Sequence, residues 1–105
     1  VPARVMLAAP PGLATAAEVG EEAAWAPTAA LAGPGDPAQH PLVATGRARV
    51  QDEGSQLAAL ALSRSRAAGS GERWLDLCAG PGGKAALLAA EARAVGAVLV
   101  ANEVV

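Results

Sequence analysis

At 105 residues the chain has the size of one small domain or a piece of a larger one, and 52 % apolar against 17 % charged residues makes it globular rather than disordered. A formal net charge of -2 gives no global basic signature for a nucleic-acid partner, and a single cysteine and a single histidine leave no disulfide framework and no multi-thiolate zinc site. With no apolar run of roughly eighteen residues and no basic-then-apolar leader, a cytoplasmic protein without membrane or metal partners is expected.

Alanine supplies most of the apolar content, with two Trp and no Phe or Tyr, so burial per residue is low and the core is thin. No Met opens the chain, and LVANEVV at its end reads as a strand just finished, so truncation at both ends is expected, with an apolar sheet edge left exposed.

In chain order, ARVMLAA (3 to 9) is apolar enough for a short strand, which PPG stops. Thr15 and Glu18 form a T-x-x-E capping box, predicting a helix from Ala16 to Ala24. APTAALAGPGDPAQHPL is punctuated by Pro and Gly and reads as loop with a short strand at TAALA; His40 within it is expected to be an exposed bystander. GRARVQDEG begins extended and becomes helical near Glu53, with Asp52 as N-cap and an apolar face ending at Gly69. RWLDLCA is a buried strand, GKAALLAAEARAV a helix closed by Gly96, and AVLVANE a second buried strand. Two such strands around a helix predict a parallel pair with a right-handed crossover.

Ligands of such units collect where the turn after the first strand meets the helix N-terminus. Gly80, Gly82 and Gly83 permit backbone conformations and close approaches that side chains block. A Walker phosphate loop fails twice: Cys78 stands where its first glycine belongs, and Ala85 after Lys84 has no hydroxyl for magnesium. Gly80, Gly82 and Ala85 do satisfy the dinucleotide pattern G-x-G-x-x-[GA], with Glu103 about 20 residues on. Asp76 at the mouth of the turn, however, repels a pyrophosphate and suits a ligand with a cationic end. S-adenosylmethionine carries a sulfonium and an ammonium, and its ribose hydroxyls want a carboxylate acceptor such as Glu103.

DLCAGPGGK closely resembles motif I of the RNA cytosine-5 methyltransferases of the NOL1/NOP2/Sun group, D-x-C-A-[AG]-P-G-G-K, and VQDEGSQL (Val50 to Leu57) is similar to the segment that precedes that motif. ANE after them also fits. The resemblance covers residues 46 to 105, with a weaker likeness in the first forty-odd residues to the small flanking subdomain of the bacterial 16S rRNA enzymes. It implies an α/β fold: a small α+β flanking subdomain over residues 1–45, then, over 46–105, the opening β-α-β of a Rossmann-like sheet that binds S-adenosylmethionine. It further implies a cofactor site lined by Cys78, Ala79, Gly80, Pro81, Gly82, Gly83 and Lys84, Glu103 on the ribose, Asp76 at the turn or the methionine end, an rRNA substrate, and a monomer at full length.

Cytosine is a poor nucleophile at carbon 5, and the known solution is a thiolate that adds to carbon 6. Cys78, the only candidate, stands at the end of a strand beside the turn and is read as packing. In the resembled family the nucleophile and its partner cysteine belong to later motifs, so no catalytic residue is expected within this chain. Arg47 and Arg49, two apart, are placed on one strand face aimed at RNA phosphates, whereas Trp25 and Trp74 are expected to pack. Two other readings stay open: an NAD-dependent oxidoreductase, which leaves Asp76 and PGGK without a role, and a non-catalytic RNA-binding scaffold.

Overall fold

The computed structural model describes residues 4–65, 70–77, 79–80 and 83–103. The chain is mixed α/β. Strands β1 (Met6–Ala8), β2 (Glu21–Glu22), β3 (Ala29–Leu31) and β4 (Arg49–Val50) form an antiparallel sheet of order β2-β3-β1-β4. Short helices α1 (Ala16–Val19) and α2 (Pro41–Ala44) lie between these strands, then α3 (Glu53–Ser63) leads to β5 (Arg73–Asp76), α4 (Gly83–Val95) and β6 (Val98–Ala101). β5 and β6 pair in parallel with Trp74 opposite Leu99 and Asp76 opposite Ala101, as the strand, helix, strand pattern predicts.

Strand alternation builds two cores from one sheet. Leu7 and Ala30, directly paired, face a cluster with Ala14, Ala16 and Val19 from the α1 region. On the opposite face Met6 and Ala29 join Ala59 and Leu60 of α3 and Leu87 and Leu88 of α4. Helix α3 therefore packs on the first sheet and on α4 at once. The sheet draws β4 from beyond residue 46, so the chain around that position is continuous with β1 through the pairing of Arg49 with Ala8.

The capping box forms as expected: Thr15 N–H donates to Glu18 Oε1 at 2.9 Å, and Glu18 N–H donates to Thr15 Oγ1 at 3.3 Å. The helix nonetheless stops at Val19 instead of running to Ala24. Glu21 and Glu22 pair with β3, and Gly20 presses against the Leu31 carbonyl, so tertiary pairing overrides local helix propensity. A Cβ on Gly20 would overlap the Leu31 carbonyl oxygen more closely than real Cβ contacts allow. Gly20→Ala is accordingly expected to lower stability by about 1–3 kcal/mol, measured as a fall in the urea midpoint.

Two loop residues also differ from expectation. His40 is half-buried and bonded through both ring nitrogens: Nδ1 accepts from Leu42 N–H at 3.1 Å, capping α2, and Nε2 donates to the Val19 carbonyl at 2.8 Å. Trp25, expected to pack, is 77 % exposed; the Glu53 carboxylate holds its backbone N–H and that of Ala26, each at 2.8 Å, with buried Ala26 filling the core position. Trp74 does pack by half, with its indole N–H on Glu72 at 3.0 Å.

Strands β5 and β6 were expected to be buried on both faces. Only one face is covered. Trp74, Asp76 and Leu99 are half-buried, whereas Leu75, Val98 and Val100 on the other face are all more than half exposed. Among the described residues the helices pack on a single side of the pair, which leaves the apolar residues opposite without a layer. Helix α3 ends at Ser63; the rest of the stretch read as helical, to Gly69, lies mostly outside the described residues.

At that end Arg64 bridges to α4, its Nε at 2.6 Å and its second guanidinium N–H at 2.9 Å from the two Glu91 oxygens, while the Ser63 hydroxyl donates to Glu91 at 2.8 Å. The Arg64 hydrogen bonds hold the Glu91 carboxyl below the usual range; burial opposes this, and Ser63 assists. A carboxylate whose pKa is lowered by folding contributes stability that is complete above the unfolded value, about 4.3, and is lost as pH falls through the lower folded value. The melting temperature is therefore expected to fall below about pH 4, and Glu91→Gln to flatten that dependence, as followed by circular dichroism.

Candidate cofactor site

Segment VQDEGSQL works as a weld between the first sheet and the glycine turn. Gln51 N–H donates to the Met6 carbonyl at 3.1 Å, tying the end of β4 to β1. Asp52 caps α3, taking Ser55 N–H at 2.9 Å and the Ser55 hydroxyl at 2.8 Å. Glu53 secures the loop at Trp25. Gln56 is fully buried, its amide donating to the Leu7 carbonyl at 3.2 Å and the Gln51 carbonyl at 3.0 Å while its oxygen accepts from Thr28 at 2.8 Å.

The turn itself is stitched to the end of β6. Asn102 N–H donates to the Asp76 carbonyl at 2.8 Å, and Ala79 N–H donates to the Asn102 carbonyl at 3.0 Å. The next bond changes kind: Gly80 N–H donates to the Glu103 side chain, Oε1, at 3.1 Å. Gly80 has φ +56, the left-handed region glycine adopts without penalty. Asp76, half-buried at the end of β5, and Glu103, exposed after β6, thus stand at the carboxyl ends of adjacent parallel strands with the turn between them.

Gly83 opens α4, and a Cβ there would lie 3.7 Å from Gln51 Nε2. Lys84 follows, exposed in the first turn, where a cation opposes the helix dipole. Asp52 offsets it: its carboxyl is held below the usual range chiefly by the two Ser55 bonds, with a smaller pull from the Lys84 charge. The starts of α3 and α4 therefore meet at the glycine turn.

Of the expected cofactor residues, Asp76, Ala79, Gly80, Gly83, Lys84 and Glu103 come together here, and Cys78, Pro81 and Gly82 lie outside the described residues. The two arginines do not share a strand face. Arg47 precedes β4, and its Nε donates to the Leu13 carbonyl at 2.8 Å, bracing the loop before α1. Arg49 is exposed on β4 without a side-chain partner among the described residues. Gln56 was not singled out; its polar character inside a segment that must cross from sheet to helix was the available signal.

A groove of about 320 Å³ runs along the amino end of β5, lined by Leu62, Trp74, Leu75, Leu88 and Leu99, at the opposite end of the strand from the turn. Among the described residues no cluster of His, Cys, Asp or Glu has a metal-binding arrangement, and no helix is long and apolar enough to cross a membrane.

No family model matches the chain, and no solved structure does. It is similar to two proteins of Mycobacterium tuberculosis, "Putative methyltransferase MT1451" of strain CDC 1551 / Oshkosh and "Putative methyltransferase Rv1407" of strain ATCC 25618 / H37Rv. It is 51 % identical to each over 90 residues. The similarity takes in 81 % of this chain and 20 % of either relative, so the chain spans about a fifth of the length of the proteins it matches and resembles a segment of methyltransferase sequence.

Proposed function

We propose that the chain is the cofactor-binding part of an S-adenosylmethionine-dependent methyltransferase that acts on carbon 5 of cytosine in rRNA, the 16S molecule first among candidates, with its catalytic cysteines elsewhere in the full-length protein. The observation that carries this is the placement of Asp76 and Glu103 at the ends of parallel strands around a turn with left-handed Gly80, stitched to Glu103 through the Gly80 N–H. Similarity to two proteins named as methyltransferases supports the general activity; the cytosine-5 and rRNA assignments rest on DLCAGPGGK.

The fit is one of charge and space. Asp76 meets the cationic methionine end, Glu103 accepts from the ribose hydroxyls, and the small residues Ala79, Gly80 and Gly83 let the backbone approach the cofactor. The bound cofactor supplies an electrophilic methyl group. The chain's own residues hold and orient it, and Lys84 stands at the start of α4 beside it. β5, α4 and β6 would open a Rossmann-like sheet, with residues 1–45 as the flanking subdomain and Arg49 left to meet RNA phosphate.

Incubating the full-length protein with tritiated S-adenosylmethionine and 16S rRNA, followed by bisulfite sequencing, tests the reading. Label on a cytosine that resists conversion is the expected result. Titration with S-adenosylmethionine and NAD separately settles the cofactor: binding of NAD alone overturns the proposal in favour of an oxidoreductase.

A further inference from the structure

Trp25 is the most exposed large apolar side chain among the described residues, an unusual position for a residue type that is highly buried on average. It stands at the tip of the loop that joins β2 to β3, and that loop is fastened through its main chain. Ala23 N–H donates to the Ala29 carbonyl at 2.9 Å, and Ala29 N–H to the Ala26 carbonyl at 3.1 Å. The N–H groups of Trp25 and Ala26 both donate to Glu53 Oε2, each at 2.8 Å. The indole takes part in none of these bonds. A bare aromatic face is thus held out on a backbone already ordered, so little freedom is left to lose when something lies on it.

The charges around the start of α3 indicate what that is. Arg49 pairs with Ala8 and Ala8 with Ala29, so all three project from one face of the sheet, the face on which α3 packs. Arg49 is exposed there and has no side-chain partner among the described residues. Lys84, exposed at the start of α4, lies close to Asp52. The two acids between these cations are engaged, Asp52 with Ser55 and Glu53 with the Trp25 loop. The exposed neighbours of Trp25, Ala24 and Pro27, add too little apolar area for a stable protein interface. A single flat ring near cations suits an unpaired nucleotide, whose base stacks on the ring while its phosphates take the charge.

We propose that Trp25 is an RNA-contact residue, its indole stacking on an unpaired base of the substrate while Arg49 pairs with a phosphate of the same strand. This rests on the RNA reading above. The experiment is fluorescence anisotropy of the full-length protein with a labelled single-stranded RNA and with a duplex of the same sequence, in wild type, Trp25→Phe, Trp25→Leu and Arg49→Gln, each with a melting curve. Trp25→Leu is expected to lose about tenfold in single-strand affinity and to bind the duplex as wild type does. Trp25→Phe, which keeps an aromatic face, is expected to retain most of the single-strand affinity. Arg49→Gln is expected to lower the slope of log affinity against log salt by about 0.7 for the single strand, the share of one phosphate. Melting temperatures are to stay near wild type, because the bonds that fasten the loop spare the ring. Unchanged single-strand affinity in Trp25→Leu overturns this assignment alone; if that variant also melts lower, the ring packs against another part of the full-length chain. Equal losses for single strand and duplex overturn stacking, and a wild-type protein that binds neither RNA overturns the RNA reading and this assignment together.

Discussion

Gln56→Leu is expected to cost about 3 kcal/mol, a large fraction of what holds an ordinary domain folded. Gln56 has no exposed surface, and its carboxamide satisfies the Leu7 and Gln51 carbonyls and the Thr28 hydroxyl from three separate segments. Leucine leaves two acceptors and a hydroxyl, Thr28 being itself buried, in a site closed to water. Each orphaned group costs roughly 1–3 kcal/mol, against a total stability of about 5–15 kcal/mol for an ordinary domain. Gln56→Glu separates shape from bonding. At neutral pH its carboxylate faces two carbonyl oxygens with no proton to offer, so it should melt lower than leucine does. Protonation restores one donor, so its melting temperature should rise towards wild type on acidification, the reverse of the wild-type trend set by Glu91. A urea titration of both variants at pH 7 and pH 4.5 reads the difference.

That contrast shows where the sequence was informative. Local chemistry carried through: the Thr15 and Glu18 capping box, the Asp52 cap, the short strand at TAALA, helix α4 from Gly83 to Val95 with its close at Gly96, and the parallel pair around it all depend on neighbours within a few residues. What local pattern could not reveal were distant partners. Helix α1 halts because Leu31 and Ala30 claim the chain at Glu21 and Glu22, Arg47 turns to Leu13 instead of joining Arg49, and His40 bonds a carbonyl twenty-one residues away. The same holds for burial. An unbroken apolar run states that a strand tolerates cover on both faces, and Leu75 and Val98 show that this chain provides it on only one.

Within the site, legibility followed chemistry too. Acids and glycines at a strand end are rare enough to be read as a ligand turn; in the fold Asp76 ends β5 beside β6, and Gly80 N–H donates to Glu103. Glutamines carry no such signature. VQDEGSQL was noticed as a resemblance, while the reason for its composition is spatial: each polar side chain from Asp52 to Gln56 with a long reach meets a different part of the first sheet, the loop at Trp25 or its own helix end.

Glu103→Ala is expected to weaken S-adenosylmethionine binding by about a hundredfold, the largest functional effect of a single substitution in this chain. Two losses combine. Alanine removes the acceptor proposed for the ribose hydroxyls, and it frees Gly80 N–H from the bond that fixes the left-handed residue of the turn. Glu103→Gln tells them apart, because its amide oxygen still accepts from Gly80 while the charge that strengthens the ribose bonds is gone. Binding about tenfold weaker than wild type is expected for glutamine, with the remainder of the alanine effect assigned to the loosened turn. Titration with adenosine and with methionine as separate competitors sharpens the assignment: both variants should lose affinity for adenosine, and only alanine, through the turn, should also lose affinity for methionine. Equal S-adenosylmethionine affinity in wild type and Glu103→Gln would confine Glu103 to holding Gly80 and move the ribose acceptor to another residue.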